Sequence, residues 1–191
     1  MNRMLRIGLF VVVAVVQLAV ATGAIVRSEL ALRTGEAFRF RIQPVDPVDA
    51  FRGRYVAIRF AVERAPAAED LEVRRGTFVC VPIEVDDDGY AALGPAELEP
   101  PSSGAYLRLR GGGVYPDEDG KRYVWINLPF RRYYMDEDLA PEAERAVWSG
   151  PRGQREASVS VRIRNGFGVI EELYIGDVPI HRWLAENNEN P

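Results

Sequence analysis

Residues 36–60 read EAFRFRIQPVDPVDAFRGRYVAIRF, and the fold class turns on that stretch. From Glu36 to Gln43, Phe38, Phe40 and Ile42 fall on one face and Arg39, Arg41 and Gln43 on the other. Successive side chains of an extended chain point to opposite sides, so this alternation predicts a half-buried strand. Arg54 to Glu63 repeats it, with Val56, Ile58, Phe60 and Val62 inward and Tyr55, Ala57 and Arg59 outward. Between the two, Pro44 and Pro47 fix their own φ angles and push Gln43 and Asp46 toward extended backbone. Asp49 is placed to cap the turn of Ala50-Phe51-Arg52-Gly53, and Gly53 accepts the positive φ that such a turn demands. Arg52 is placed to meet Asp46 or Asp49 in a charge-assisted pair. The expectation is a rigid corner between two strands.

Downstream the chain keeps strand character. Ala65 to Arg75 reads as a loop or short helical turn. Thr77 to Val85 is a strand, Asp86-Asp87-Asp88-Gly89 has tight-turn chemistry, and Tyr90 to Leu93 returns. Gly94 to Gly104, with three prolines, is a connection. Tyr106 to Arg110 and Arg122 to Leu128 make a pair around GGGVYPDEDGK, read as a flexible link. Leu139 to Trp148 is the one soluble helix, with Asp138 to cap it, Pro141 in its first turn, and Leu139, Ala143, Ala146 and Val147 on one face. Ala157 to Arg164 alternates again, and Asn165-Gly166 turns it into Val169 to Ile175. Seven or eight short strands and one short amphipathic helix predict a mostly β domain, an antiparallel barrel or sandwich.

Upstream lies a different solvent. Ile7 to Val26, IGLFVVVAVVQLAVATGAIV, carries no charge, and a helix of that length covers roughly 30 Å, one bilayer core. Arg3 and Arg6 precede it, as in secretory signals and uncleaved anchors alike. Ala19-Val20-Ala21 would serve as a cleavage site, but the run continues past it, longer than a signal core needs, which favours a retained transmembrane helix. The short basic tail favours an N-terminus inside and the domain outside, although Arg27 and Arg33 weigh on the other flank. The layout predicted is a tail over 1–6, an anchor over 7–26, a linker over 27–35, one β-rich domain over 36–184 and a flexible tail over 185–191.

Charge narrows the function classes. The chain has 24 basic residues, of which Arg3 and Arg6 precede the anchor, against 28 acidic ones, so no global basic field exists to hold nucleic acid. Cys80 is the single cysteine, which excludes an internal disulfide, and FVCVPI around it reads as a buried strand. His181 is the single histidine, which excludes a site built on several. Asp86-Asp87-Asp88-Gly89 and Asp117-Glu118-Asp119-Gly120 lack the spaced ligands of a calcium loop, and Gly111-Gly112-Gly113 lacks the Lys of a phosphate loop. Neither metal nor cofactor is expected.

The stretch Gly53-Arg54-Tyr55-Val56-Ala57-Ile58-Arg59-Phe60 resembles the signature of the GDYXXLXY family, membrane-anchored bacterial proteins of uncharacterised function. Gly53 and Tyr55 match, Ile58 and Phe60 are conservative replacements, and Arg54 stands where that signature has Asp. Pro44 to Pro47, Asp49 to Gly53, and Arg132-Tyr133-Tyr134 followed by Glu137 are further family-like elements. The resemblance implies a fold, a location at the bacterial cytoplasmic (inner) membrane, and association with multi-pass membrane proteins. It implies no chemistry.

Two surfaces carry functional expectations. Arg131, Arg132, Tyr133, Tyr134 and Glu137 put aromatics beside arginines, a composition suited to interfaces and anionic groups. Asp46 and Asp49, or Glu137, are the carboxylates that a membrane-tethered hydrolase or a small-ligand binding module would use. The leading expectation is a non-catalytic domain, facing the periplasm in a cell with two membranes, that serves as an accessory or interaction subunit for another membrane protein.

Overall fold

The computed structural model describes residues 3–43, 55–148 and 156–188. Its first element, α1 (Arg3–Thr34), is long and apolar enough to cross a membrane, and none of its apolar window is buried. The predicted linker over 27–35 is a correction, since the helix runs on without a break to Thr34. No glycine or proline interrupts it between Val26 and Gly35, Arg33 pairs with Glu29 one turn back at 2.6 Å, and Ala31 is buried.

Strands dominate the rest of the chain: β1 (Glu36–Gln43), β2 (Tyr55–Ala57), β3 (Arg59–Phe60), β4 (Arg64–Pro66), β5 (Phe78–Val85), β6 (Ala91–Leu93), β7 (Tyr106–Pro116), β8 (Arg122–Ile126) and β9 (Arg132–Tyr134). After α2 (Ala140–Trp148) come β10 (Ala157–Arg164), β11 (Phe167–Ile175), β12 (Val178–Pro179) and α3 (Ile180–Asn188). One sheet has the order β12-β11-β10-β1-β3, a second β4-β8-β7-β5-β6, and β2 pairs with β9. Among the described residues every ladder between these strands is antiparallel, with isolated parallel bridges at Ala67–Ala96 and Leu107–Gly166, and the sheets include a curled half-barrel.

The alternation of β1 is realised: Phe38, Phe40 and Ile42 are buried, and Arg39 and Arg41 lie on the other face. Those arginines bind the edges together. Arg41 meets Asp86 at 2.7 Å, Asp88 at 2.6 Å and Glu156 at 3.3 Å, so the acidic turn after β5 is tied to β1. Arg39 meets Asp177 at 2.7 Å.

The predicted strand over Arg54 to Glu63 is two strands. β2 pairs with β9, the Ile58 N–H donates to the Arg131 carbonyl at 2.9 Å, and β3 then pairs with β1. One extended segment thus changes partners at Ile58 without losing its alternation. Val56, Ile58 and Phe60 are buried, whereas Val62, expected inward, is 36% exposed because the chain bends away after β3.

The glycine run is a second correction. Gly111 to Gly113 lie inside β7, at a bulge opposite β8, and the reversal is confined to Asp117–Gly120. A Cβ on Gly111 would sit 3.1 Å from Val124, and one on Gly112 would sit 3.0 Å from the Trp125 Cβ, so the strands approach where side chains are absent. A third correction is the C-terminal tail, because residues through Asn188 belong to α3. Ile180 and Leu184, one turn apart, are both buried, and Asn187 donates to the Trp183 carbonyl at 2.8 Å. The second amphipathic helix therefore adds to α2, whose Ala143, Ala146 and Val147 are buried as expected. Both sheets, β2, β3, α2 and α3 contribute to one continuous apolar cluster.

Candidate functional site

Helix α1 is seated on the domain rather than merely joined to it. Ser28, Ala31, Leu32 and Gly35 recur at helical spacing and are the covered positions of its last turns, against β10 and β11. Small residues make the approach close. A Cβ on Gly35 would lie 3.0 Å from the carbonyl oxygen of Ile163 in β10, and 2.4 Å from that of Ala31 in the preceding turn of α1 itself. Arg27 stacks on Phe167, its guanidinium 4.1 Å from the ring centroid.

The predicted patch surrounds β9 and divides across it. Tyr133 turns inward, half-buried, and its hydroxyl donates to Glu172 Oε1 at 2.8 Å. Burial, and then the Glu172 carboxylate, push its pKa well above the ordinary phenol value. Tyr134 turns outward, 67% exposed, with its ring 5.8 Å from Tyr55 in an edge contact. The Arg132 guanidinium lies 4.8 Å from the Tyr55 centroid, and Arg131 donates to Asn127 Oδ1. Tyr55 thus joins Arg132 and Tyr134 on the surface, while Ile58 and Phe60 of the same motif are core. Phe60 makes edge contacts with Phe40 at 5.6 Å and Phe130 at 6.0 Å.

Pro44, Asp46, Pro47, Asp49, Arg52 and Gly53 lie outside the described residues. Glu137 is exposed just before α2. Asp86 accepts the N–H groups of Asp88 at 3.1 Å and Tyr90 at 2.8 Å, and Asp117 does the same for Asp119 and Lys121 at 3.0 Å each. Among the described residues no group of three His, Cys, Asp or Glu could hold a metal ion.

One titratable constellation has no counterpart in the sequence pattern. Glu172 accepts from Tyr133 through one oxygen, while its other oxygen lies 3.3 Å from His181 Nδ1. The three residues come from β9, β11 and α3, so no local spacing could reveal them. Chemically the carboxylate orients a phenol and has an imidazole beside it. Burial also raises the Cys80 thiol pKa, which disfavours the thiolate.

Two clefts flank β9. A cleft of about 510 Å³ is lined by Tyr55, Arg59, Glu63, Asn127, Arg131 and Arg132 among others. A more open one of about 770 Å³ lies toward α1 and is lined by Ser28, Phe130, Arg131, Arg132, Tyr134 and Ile170 among others. Among the described residues neither Arg131 nor Arg132 forms an ion pair, whereas Glu171, in the wall of the second cleft, is held by Arg162 at 2.8 Å. Cationic, aromatic walls suit an anion or a partner surface.

The model of a family described as GDYXXLXY protein matches residues 17–173. No curated protein and no solved structure matches the chain.

Proposed function

This chain belongs to the GDYXXLXY family, and from that membership we propose that it is a single-pass protein of the bacterial cytoplasmic membrane, N-terminus inside, whose periplasmic or external β domain is a non-catalytic interaction subunit for a multi-pass membrane protein. The observation that carries the reading is the seating of α1 on β10 and β11. A domain fixed to its anchor without slack shows one constant face to other proteins in the same bilayer, so little ordering entropy is lost when a partner docks. The surface formed by Tyr55, Arg132 and Tyr134 has the composition that dominates protein interfaces.

A photocrosslinker introduced at Tyr134 in the full chain, with one at exposed Leu98 as control, tests the interaction. The expected outcome is a multi-pass membrane protein captured from Tyr134 alone; equal or no capture from the two positions refutes it. A reporter fused after Pro191 that is active only in the cytoplasm overturns the orientation.

A further inference from the structure

The cleft of about 770 Å³ lies where α1 leaves its apolar run. Ser28, in its wall, is two residues past Val26, about 3 Å along the helix axis, so for an anchor inserted over 7–26 the cleft opens at the depth where hydrocarbon gives way to headgroups. Arg27 on Phe167 marks the same level. The walls divide by polarity, with buried Phe130 and half-buried Ile170 on one part and Arg131 and Arg132 on another. Exposed Tyr134 also lines it, a residue type that partitions to membrane interfaces. Glu171 is the one carboxylate among the described lining residues, and Arg162 and Ser160, at 2.8 and 3.1 Å, already compensate it. Arg131, which donates to Asn127, and Arg132, which stacks on Tyr55, have no carboxylate partner among the described residues, and the anion that best matches a guanidinium fork is a phosphate.

We propose that this cleft binds the phosphate of a phospholipid from the surrounding bilayer, with Arg131 and Arg132 on the phosphate and Phe130 and Ile170 against the start of the acyl chains. The inference rests on the membrane-anchored reading. Its occupant is a lipid rather than free phosphate because the cleft opens at headgroup depth and part of its wall is apolar.

The test is native mass spectrometry of the full chain released from detergent, loaded with phosphatidylglycerol or with diacylglycerol, which lacks the phosphate. The wild type is expected to retain one phosphatidylglycerol and no diacylglycerol. Arg131→Gln/Arg132→Gln lowers that retention at least tenfold, Arg182→Ala on α3 leaves it unchanged, and millimolar inorganic phosphate does not displace the lipid. Retention by the double variant, equal retention of diacylglycerol, or displacement by phosphate overturns the proposal. If the double variant fails to fold, the single Arg131→Lys and Arg132→Lys changes, which keep the charge and lose the fork, must each weaken retention. Alkaline carbonate extraction separates the two readings: a chain stripped from membranes refutes the anchor, whereas an integral chain indifferent to these variants refutes only the lipid site.

Discussion

Gly35→Ala tests whether the anchor and the β domain are one body. The new Cβ would sit 2.4 Å from the Ala31 carbonyl oxygen and 3.0 Å from the Ile163 carbonyl oxygen, the first closer than real Cβ atoms come. Both neighbours are backbone, so no rotamer change relieves either contact: the one with Ala31 distorts the last turn of α1 itself, and the one with Ile163 presses that turn away from β10 by a few tenths of an ångström. Overpacking of this kind costs about 1–3 kcal/mol. The shift also strains the 2.8 Å bond from the Gly35 N–H to Ala31, worth about 1 kcal/mol. A loss of about 2–3 kcal/mol lowers the melting temperature of a domain this size by about 4–12 °C. Gly23→Ala is the control, because nothing lies within 4 Å of that Cβ and alanine favours the helix. Melts of the full chain in detergent read the stability. Spin labels at Leu30 and Arg164 read the coupling, as a narrow distance distribution that broadens in Gly35→Ala. A variant that melts like the wild type and keeps the narrow distribution refutes the close-packed dock.

Phe60→Ala removes a buried ring with two edge contacts and should cost about 3–5 kcal/mol in chemical denaturation; a loss under about 1 kcal/mol would show that β3 contributes little to the core. Acid and alkali should each destabilise the domain. The Tyr90 N–H, ahead of the Arg41 guanidinium, lowers the Asp86 pKa, and Arg162 lowers that of Glu171, so their stabilisation is complete above the unfolded values of 3.8 and 4.5 and is lost as pH falls through the folded ones. Tyr133, raised by burial and by Glu172, gives stability that is complete below its unfolded value of 10.0 and is lost as pH rises beyond it. Melting temperatures that climb as the solution is taken from about pH 5 down to about pH 3, or from about pH 9 up to about pH 11, would contradict this. Cys80, 2% exposed, should react with a thiol reagent only on unfolding; stoichiometric labelling of the native protein within seconds would show that β5 is open.

What the sequence disclosed is what one buried face imposes on its own strand. β1 and β10 were legible because their alternate residues meet water and core in turn, and Asp86–Gly89 and Asn165-Gly166 because turn chemistry is local. The change of partner at Ile58 leaves the alternation intact and so leaves no trace in it. Gly111 and Gly112 mean a close strand only beside Val124 and Trp125, which lie in a different strand. The stripe Ser28, Ala31, Leu32 and Gly35 has helical spacing, but its small residues signal little burial, so nothing in it marks a helix end seated on a sheet. The Tyr133–Glu172–His181 set needed three elements to come together, and the second cleft needed α1 as a wall.

The arginines divide by what they meet. Arg39, Arg41 and Arg162 each satisfy carboxylates and join strand edges, so their charge is neutralised within the domain. Arg27, Arg131 and Arg132 have no carboxylate partner among the described residues and lie where α1 meets the sheet, beside Phe167 and Tyr55. The adjacent Arg131 and Arg132 repel each other, a cost that falls when an anionic surface faces them. The chain as a whole carries a net charge of −4, so this basic side stands against an acidic remainder. For the chain anchored as proposed, an anionic membrane would attract the side next to the anchor and repel the rest, in the same sense as the seating of α1 on β10 and β11. Under that proposal electrostatics and packing work together, putting Tyr134 and these arginines toward the headgroups, whereas the Asp86–Gly89 turn, held by Arg41, is committed to the fold.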